Sequence, residues 1–314
     1  LFQTEVSANA LTLHYTLADP AGAGIRPTEM TLGALDTDSS ETTRLCNEYE
    51  NLLRSFSYSR LSRDNQLTLD MLLLYFHTRA SLGENYILEE PLGPSLGIQA
   101  QLPVLLGEYA FHSTRDLSDY LKLLGTIRTY FHSILQFEEK KSQAGLFMSD
   151  ATLDRILTQC RSFIRDPNSN YMDELFAQRL KTFGKLTEKE QNHLLTFHHQ
   201  LITKQVIPAY QELIDGLEKL RGTGKTSRGL AYFPGGREYY QYLLRTQTGS
   251  YVPVKQIQKR LSDQLLTDFR QIKALIQTDS SLVASLQKYS GQISLTPEQM
   301  LKELPGLMKE DFPL

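Results

Sequence analysis

Apolar residues recur every three or four positions through most of this chain, the spacing of helices that bury one face. After Ser113 the residues Leu117, Leu121, Leu124, Ile127, Phe131, Ile134 and Leu135 predict a long helix reaching about residue 143, where Gly145 supplies a stop. A second long run opens on the capping box of Thr187 and Glu190 and continues through Leu194, Leu201, Val206, Tyr210, Leu213, Leu217 and Leu220. At 1.5 Å per residue it would extend roughly 50 Å. Pro208 falls inside it and has no N–H for the carbonyl one turn back, so a kink is expected there. Further helices are predicted over 41–58, from a cap at Asp64 through Phe76, from a cap at Asp150 through Phe163, over 172–183, over 253–277, and from Thr296 onward with Pro297 in the first helical position. The apolar set of the 64–76 helix nearly surrounds its axis, which places it centrally. Residues 1–40 are mixed, with a Pro- and Gly-rich loop at 18–27.

Neither an alternating strand pattern nor an internal repeat is visible. The fold class is therefore all-α: long, roughly antiparallel helices, one kinked, with a structured Gly/Pro-rich crossing segment at 83–112. We read residues 1–314 as a single helical domain, the N-terminal part of a longer protein, with possible sub-divisions near 83–112 and 221–236.

Composition narrows the class of partner. The chain has 314 residues, 40% of them hydrophobic, and a net charge of -3. That length suffices for a large core, and no basic surplus points to nucleic acid. The run Glu138–Glu139–Lys140–Lys141 mixes signs and reads as a solvated helix face. No apolar run approaches the ~20 residues of a membrane span. The two cysteines, Cys46 and Cys160, stand in helical patterns and read as buried thiols, with one long-range disulfide left open for an oxidising compartment. The chain opens on Leu1 without a signal peptide, so a removed upstream segment is expected.

The candidate chemistry is sparse. Gly93-Pro94-Ser95-Leu96-Gly97 fits G-x-S-x-G, but that motif needs a strand before it and a helix after it, so a Gly/Pro loop is the better reading. Gly224-Lys225-Thr226 resembles the end of a phosphate loop, yet the earlier glycine position holds Lys219. None of the seven histidines is followed by Glu and no two are four apart, so no helix presents a metal-binding His pair. The richest cluster is FPGGREYYQYLL at 233–244. Its paired glycines can bring backbone N–H groups to a ligand at a helix N-terminus, Arg237 can hold a carboxylate, and the tyrosines offer hydroxyls and flat faces. The plainer alternative is a helix start with tyrosines packed on the core.

Three stretches, 89–111 (EEPLGPSLGIQAQLPVLLGEYAF), 144–164 (AGLFMSDATLDRILTQCRSFI) and 232–249 (YFPGGREYYQYLLRTQTG), resemble the bacterial family called domain of unknown function 885. Members of that family look like zincin-type metallopeptidases, whose H-E-x-x-x-G-H metal helix lies in a later region. No such helix occurs here, so the resemblance carries no catalytic residue and no metal ligand into this chain. It implies a helical N-terminal part that forms one wall of a substrate cleft. Zinc is expected in the full-length protein, and none in this chain. Gly235, Gly236, Arg237 and Tyr240 are the expected substrate-binding edge, with Gln99 and Gln101 as further candidates. The partners implied are a peptide substrate or the missing C-terminal catalytic region. Relatives of this kind look like exported lipoproteins, which implies an extracytoplasmic, lipid-anchored or secreted protein; the residues themselves leave the cytoplasm open. The alternative reading is a non-catalytic helical module that binds peptide or protein at the cell surface.

Overall fold

The computed structural model describes residues 2–7, 9–25, 29–289 and 295–308. Leu1, the end of the expected loop at 26–27 and the C-terminal 309–314 lie outside the described residues. The protein is all-helical, 74% helix, with no strand among the described residues. Also among these residues, no helix is long and apolar enough to cross a membrane. Two compact units divide after Ser250: Leu1–Ser250 and Tyr251–Leu314.

In the first unit, α1 (Phe2–Val6) and α2 (Ala10–Thr16) precede the α3 (Ser40–Arg54) and α4 (Arg63–Ala80) hairpin. A 3-10 turn, Gly83–Leu88, leads to α5 (Ile98–Gly107). Next come α6 (Thr114–Ala144), α7 (Asp150–Ile164), α8 (Tyr171–Phe183), α9 (Glu188–Leu201), α10 (Ile207–Lys219) and α11 (Gly236–Thr248). The α6 helix is the axis of the unit. Ser113 and Asp116 close its capping box, and Gly145 at φ +73° ends it in the left-handed region. Its inner face, Leu123, Leu124, Ile127, Phe131 and Ile134, is almost fully buried against α7 and α10, which contribute Leu153, Ile156, Leu157, Tyr210, Leu213 and Leu217. On the solvent side, a Cβ added at Gly125 would meet nothing within 4 Å. Gly125→Ala should therefore stabilise the protein by roughly 0.5–1 kcal/mol, read as a raised urea midpoint.

Just before Pro208, where a kink is expected, the helix changes its winding. α9 and α10 are separated by a π-helical turn, Ile202–Val206, in which the amide of Ile207 bonds to the carbonyl of Ile202, five residues back. The wider turn absorbs the hydrogen bond that Pro208 cannot make. The 83–112 segment holds more regular structure than its prolines predict. Pro103 lies inside α5 and deprives the Gln99 carbonyl of its helical donor, but the Tyr210 hydroxyl donates to that carbonyl at 2.7 Å. Two expected caps move. Ser62 and not Asp64 caps α4, and Ser149 and not Asp150 caps α7, each accepting from the backbone amide three residues on.

Both cysteines are buried free thiols. One histidine is a core element: His198 is wholly buried, its Nδ1 donates to Asp173 at 2.6 Å, and its Nε2 lies 3.0 Å from the Tyr120 hydroxyl. His199 Nδ1 donates to the other Asp173 oxygen at 2.9 Å, so one carboxylate ties α9 to α8. Burial works to raise the Asp173 pKa, but the two histidine hydrogen bonds outweigh it and hold the carboxyl below its ordinary 3.8. A depressed carboxyl stabilises the fold above the unfolded value and loses that contribution as pH falls through the folded one. Asp173→Ala should cost about 2 kcal/mol at pH 7, because the buried Nδ1 loses its acceptor. The variant should also lose less stability than the unaltered protein below pH 4, with urea unfolding at pH 7 and pH 3 as the check.

The second unit contains α12 (Val254–Thr278), α13 (Ser281–Tyr289) and α14 (Pro297–Met308). The helix predicted over 253–277 forms as α12, but its apolar stripe is bare: Leu261, Leu265, Phe269 and Ile272 are each more than half exposed, and no residue of the helix is buried.

Candidate functional site

The aromatic cluster folds as α11 with Gly235 as its N-cap at φ +71°. The paired glycines serve close packing within the chain. A Cβ on Gly235 would lie 2.1 Å from Asn85 Oδ1, and one on Gly236 would lie 1.8 Å from the carbonyl oxygen of Leu230. The Gly236 amide donates to the Phe233 carbonyl at 3.0 Å. Arg237 and Tyr240 stand on the exposed face of α11.

The opposite face of α11 does the packing. Tyr239 is buried with Leu82, Leu88 and Leu146, and Tyr242 and Leu243 pack against this small core. Further along, Tyr242, Arg245, Thr246 and Gly249 face Met71, Leu74, Tyr75, Thr78 and Arg79 of α4 across a cleft of about 380 Å³. Arg79 Nη1 donates to the Tyr75 hydroxyl and, at 3.2 Å, to Glu5 of α1. Met71 and Tyr75 leave apolar surface exposed at the mouth.

Between this region and α6 lies a set of buried ionisable groups. Lys141 is wholly buried, and its Nζ donates to the Glu89 carbonyl at 2.8 Å and to Glu90 Oε1 at 2.7 Å. Glu138, one turn earlier, is also wholly buried, and neither of its carboxyl oxygens has a hydrogen-bond partner. Burial pushes its pKa up to about 7, with Lys141 acting to lower it and Glu90 to raise it further. Burial likewise raises Glu89, against the lowering effect of Arg79 and Lys141, and it raises the Tyr239 and Tyr242 phenols. The solvated-face reading of 138–141 is thus half wrong. Glu139 and Lys140 are exposed, whereas Glu138 and Lys141 continue the Ile127, Phe131, Ile134 spacing into the interior. That spacing was the available signal; the charges masked it.

The remaining candidates fall elsewhere. Gln99 is buried in a latch, with Nε2 donating to the Gly93 carbonyl at 2.6 Å and to Gln159 Oε1 at 2.8 Å, while Gln159 Nε2 donates to the Pro94 carbonyl at 2.6 Å. This latch, and not a nucleophile elbow, shapes the Gly93–Gly97 turn: a Cβ on Gly97 would lie 2.2 Å from the Gly93 amide nitrogen. Gln101 is exposed on α5, beside Tyr15 and Leu105. The six expected residues thus occupy three places, and none lines the α4–α11 cleft. Gly224 and Lys225 are pinned to the α6–α7 turn, where the Lys225 amide donates to the Gly145 carbonyl at 3.0 Å. Sequence reasoning missed Tyr75, Arg79 and Arg245. Arg245 stands three residues beyond Tyr242 on one face of α11, a spacing that pointed to it. Among the described residues, no group of three or more His, Cys, Asp or Glu side chains is placed to hold a metal ion, so the residues present do not fit a zinc site.

A family model described as "Bacterial protein of unknown function (DUF885)" matches residues 23–304. Among solved structures, the fold is similar to the crystal structure of a protein called "putative lipoprotein" from Colwellia psychrerythraea, with a TM-score of 0.73 and 15% sequence identity. The likeness covers 88% of this chain and 49% of the Colwellia protein, so the chain spans about half the length of that protein. No curated protein matches the sequence.

Proposed function

The chain belongs to the DUF885 family of bacterial proteins of unknown function, and from that membership we propose that it is the helical, cleft-forming part of a longer peptide hydrolase. The observation that carries this reading is the α4–α11 cleft. Its arginines, phenols and hydroxyls suit a peptide, while no metal-ligand set accompanies them among the described residues. The chain's share in the work is to bind and orient. Zinc, which would activate a water for attack on the peptide carbonyl, belongs to a region outside these residues. α11 is the positioning edge: Tyr242 and Arg245 face the cleft, and Arg237 and Tyr240 on its outer face are available to an opposing wall. An extracytoplasmic place, as a lipoprotein or a secreted protein, accords with the name of the Colwellia neighbour.

The test compares this chain with the longer protein on a peptide mixture, each with zinc and with a chelator. Cleavage is expected from the longer protein only, and the chelator should stop it. Zinc-dependent cleavage by this chain alone overturns the division of labour. In the longer protein, Arg237→Ala should raise KM several-fold with kcat little changed, the pattern of lost uniform binding; an unaltered KM removes Arg237 from the substrate edge. A second reading, a non-catalytic module that binds peptide or protein at the cell surface, is favoured by the bare apolar stripe of α12. Absence of any cleavage by the longer protein would select it.

A further inference from the structure

We propose that the cleft between α4 and α11 recognises the terminal carboxylate of a peptide that ends in an apolar residue. The choice of a peptide rests on the reading above; the carboxylate and the apolar side chain come from the lining itself. Arg79 and Arg245 bring two guanidiniums to one cavity, and none of the lining residues is an acid. A guanidinium pairs with a carboxylate through parallel N–H donors, a geometry that an amide cannot match. Beside them, Tyr75 and Tyr242 provide phenol hydroxyls, the Thr246 hydroxyl being spent on the Leu243 carbonyl at 2.8 Å, and Met71, Leu74 and the tyrosine rings provide an apolar wall. A volume of about 380 Å³ lies in the range of small-ligand pockets.

Two further observations bear on the charge. Arg79 already donates to a carboxylate, that of Glu5, at 3.2 Å. Glu5 comes from α1 and is not among the lining residues, and both partners are more than a third exposed. A pair so exposed contributes little to stability, so an incoming carboxylate can replace it. Glu89 also acts on Arg79 and Tyr242, and it too is not among the lining residues.

The experiment uses the 314-residue chain with its methionine methyl groups carbon-13 labelled. N-acetyl-leucyl-leucine and its C-terminal amide are titrated separately, and the Met71 methyl resonance is followed. Saturable shifts with the free acid are expected, with affinity at least tenfold weaker for the amide. Arg245→Met and Arg79→Met should each weaken the acid by about tenfold and leave the amide unchanged. Arg79→Lys should restore part of the loss, which guards against a folding defect in Arg79→Met. Arg128→Met, in a surface pair with Glu212, should bind as the unaltered chain does. Equal affinity for acid and amide, or no saturable shift with either, overturns the proposal. Competition by inorganic phosphate as strong as by the dipeptide overturns its apolar half. Because binding is read without hydrolysis, acid-selective binding here together with no cleavage by the longer protein sinks the hydrolase reading alone. Cleavage by the longer protein without acid selectivity here sinks the carboxylate site alone.

Discussion

At pH 8 the Glu138→Gln variant is expected to gain on the order of 3 kcal/mol over the unaltered protein, relative to their difference at pH 4. The reason lies in where α6 places the side chain. Glu138 is wholly buried and has no donor for either oxygen, so its charged form is strongly disfavoured and its pKa rises from 4.5 to about 7. The folded chain thus holds this proton more tightly than the unfolded chain does. Its contribution is fully present below pH 4.5 and is lost as pH rises toward 7. Glutamine has nearly the same shape and no proton to lose. Below pH 4.5 the two proteins bury comparable neutral groups; above pH 7 only the unaltered one buries a charge. Urea unfolding at intervals between pH 4 and pH 8 reads the difference directly. Parallel stability profiles would show that Glu138 is charged and satisfied in the folded protein.

Gly236→Ala should cost about 3 kcal/mol or more and loosen the whole of α11. The added Cβ would stand 1.8 Å from the Leu230 carbonyl oxygen and 2.9 Å from its carbon. These are backbone atoms of the 3-10 turn Leu230–Tyr232, and no rotamer change can move them aside. Either the turn opens or the start of α11 shifts, and Tyr239 then leaves its place beside Leu82 and Leu88. Tyr242 and Arg245 ride on the same helix, so binding in the α4–α11 cleft should weaken with stability. Thermal unfolding together with hydrogen exchange across 230–248 separates the local from the global effect. A variant as stable as the unaltered protein would return the glycine pair to its expected role of exposing backbone to a ligand.

Periodicity gave helix faces but not the depth of every helix: the apolar set of α4 read as central, yet Leu67, Met71 and Tyr75 are exposed and only Leu69, Phe76 and Thr78 are buried. The faces of α6, α9, α10 and α12 follow from apolar spacing, and the Thr187–Glu190 capping box forms as written. Cap choice failed where two oxygen-bearing side chains stand close together. Ser149 precedes Asp150, and only the geometry of the turn decides which of them meets the orphan amide. α5 was hidden because Pro103 reads as a breaker, while its compensation comes from a tyrosine 111 residues away from Gln99. The candidate cleft shares the α11 helix with the expected edge but not its face. The glycines that drew notice to α11 answer to Asn85 and Leu230, and the cleft forms on the side where α4 supplies half the lining. Glu138 and Lys141 were hidden by their charge, which outweighed their position in a run of inward residues.

The pairing of Pro103 with Tyr210 ties together the histories of two distant positions. With proline at 103, the Tyr210 hydroxyl is the donor that keeps the Gln99 carbonyl satisfied inside the core. An ordinary residue at 103 would bring its own N–H to that carbonyl and free position 210 to become phenylalanine at little cost. The two changes should therefore be tolerated in one order and resisted in the other. A lineage that first loses the hydroxyl meets a stability barrier, whereas one that first replaces the proline does not.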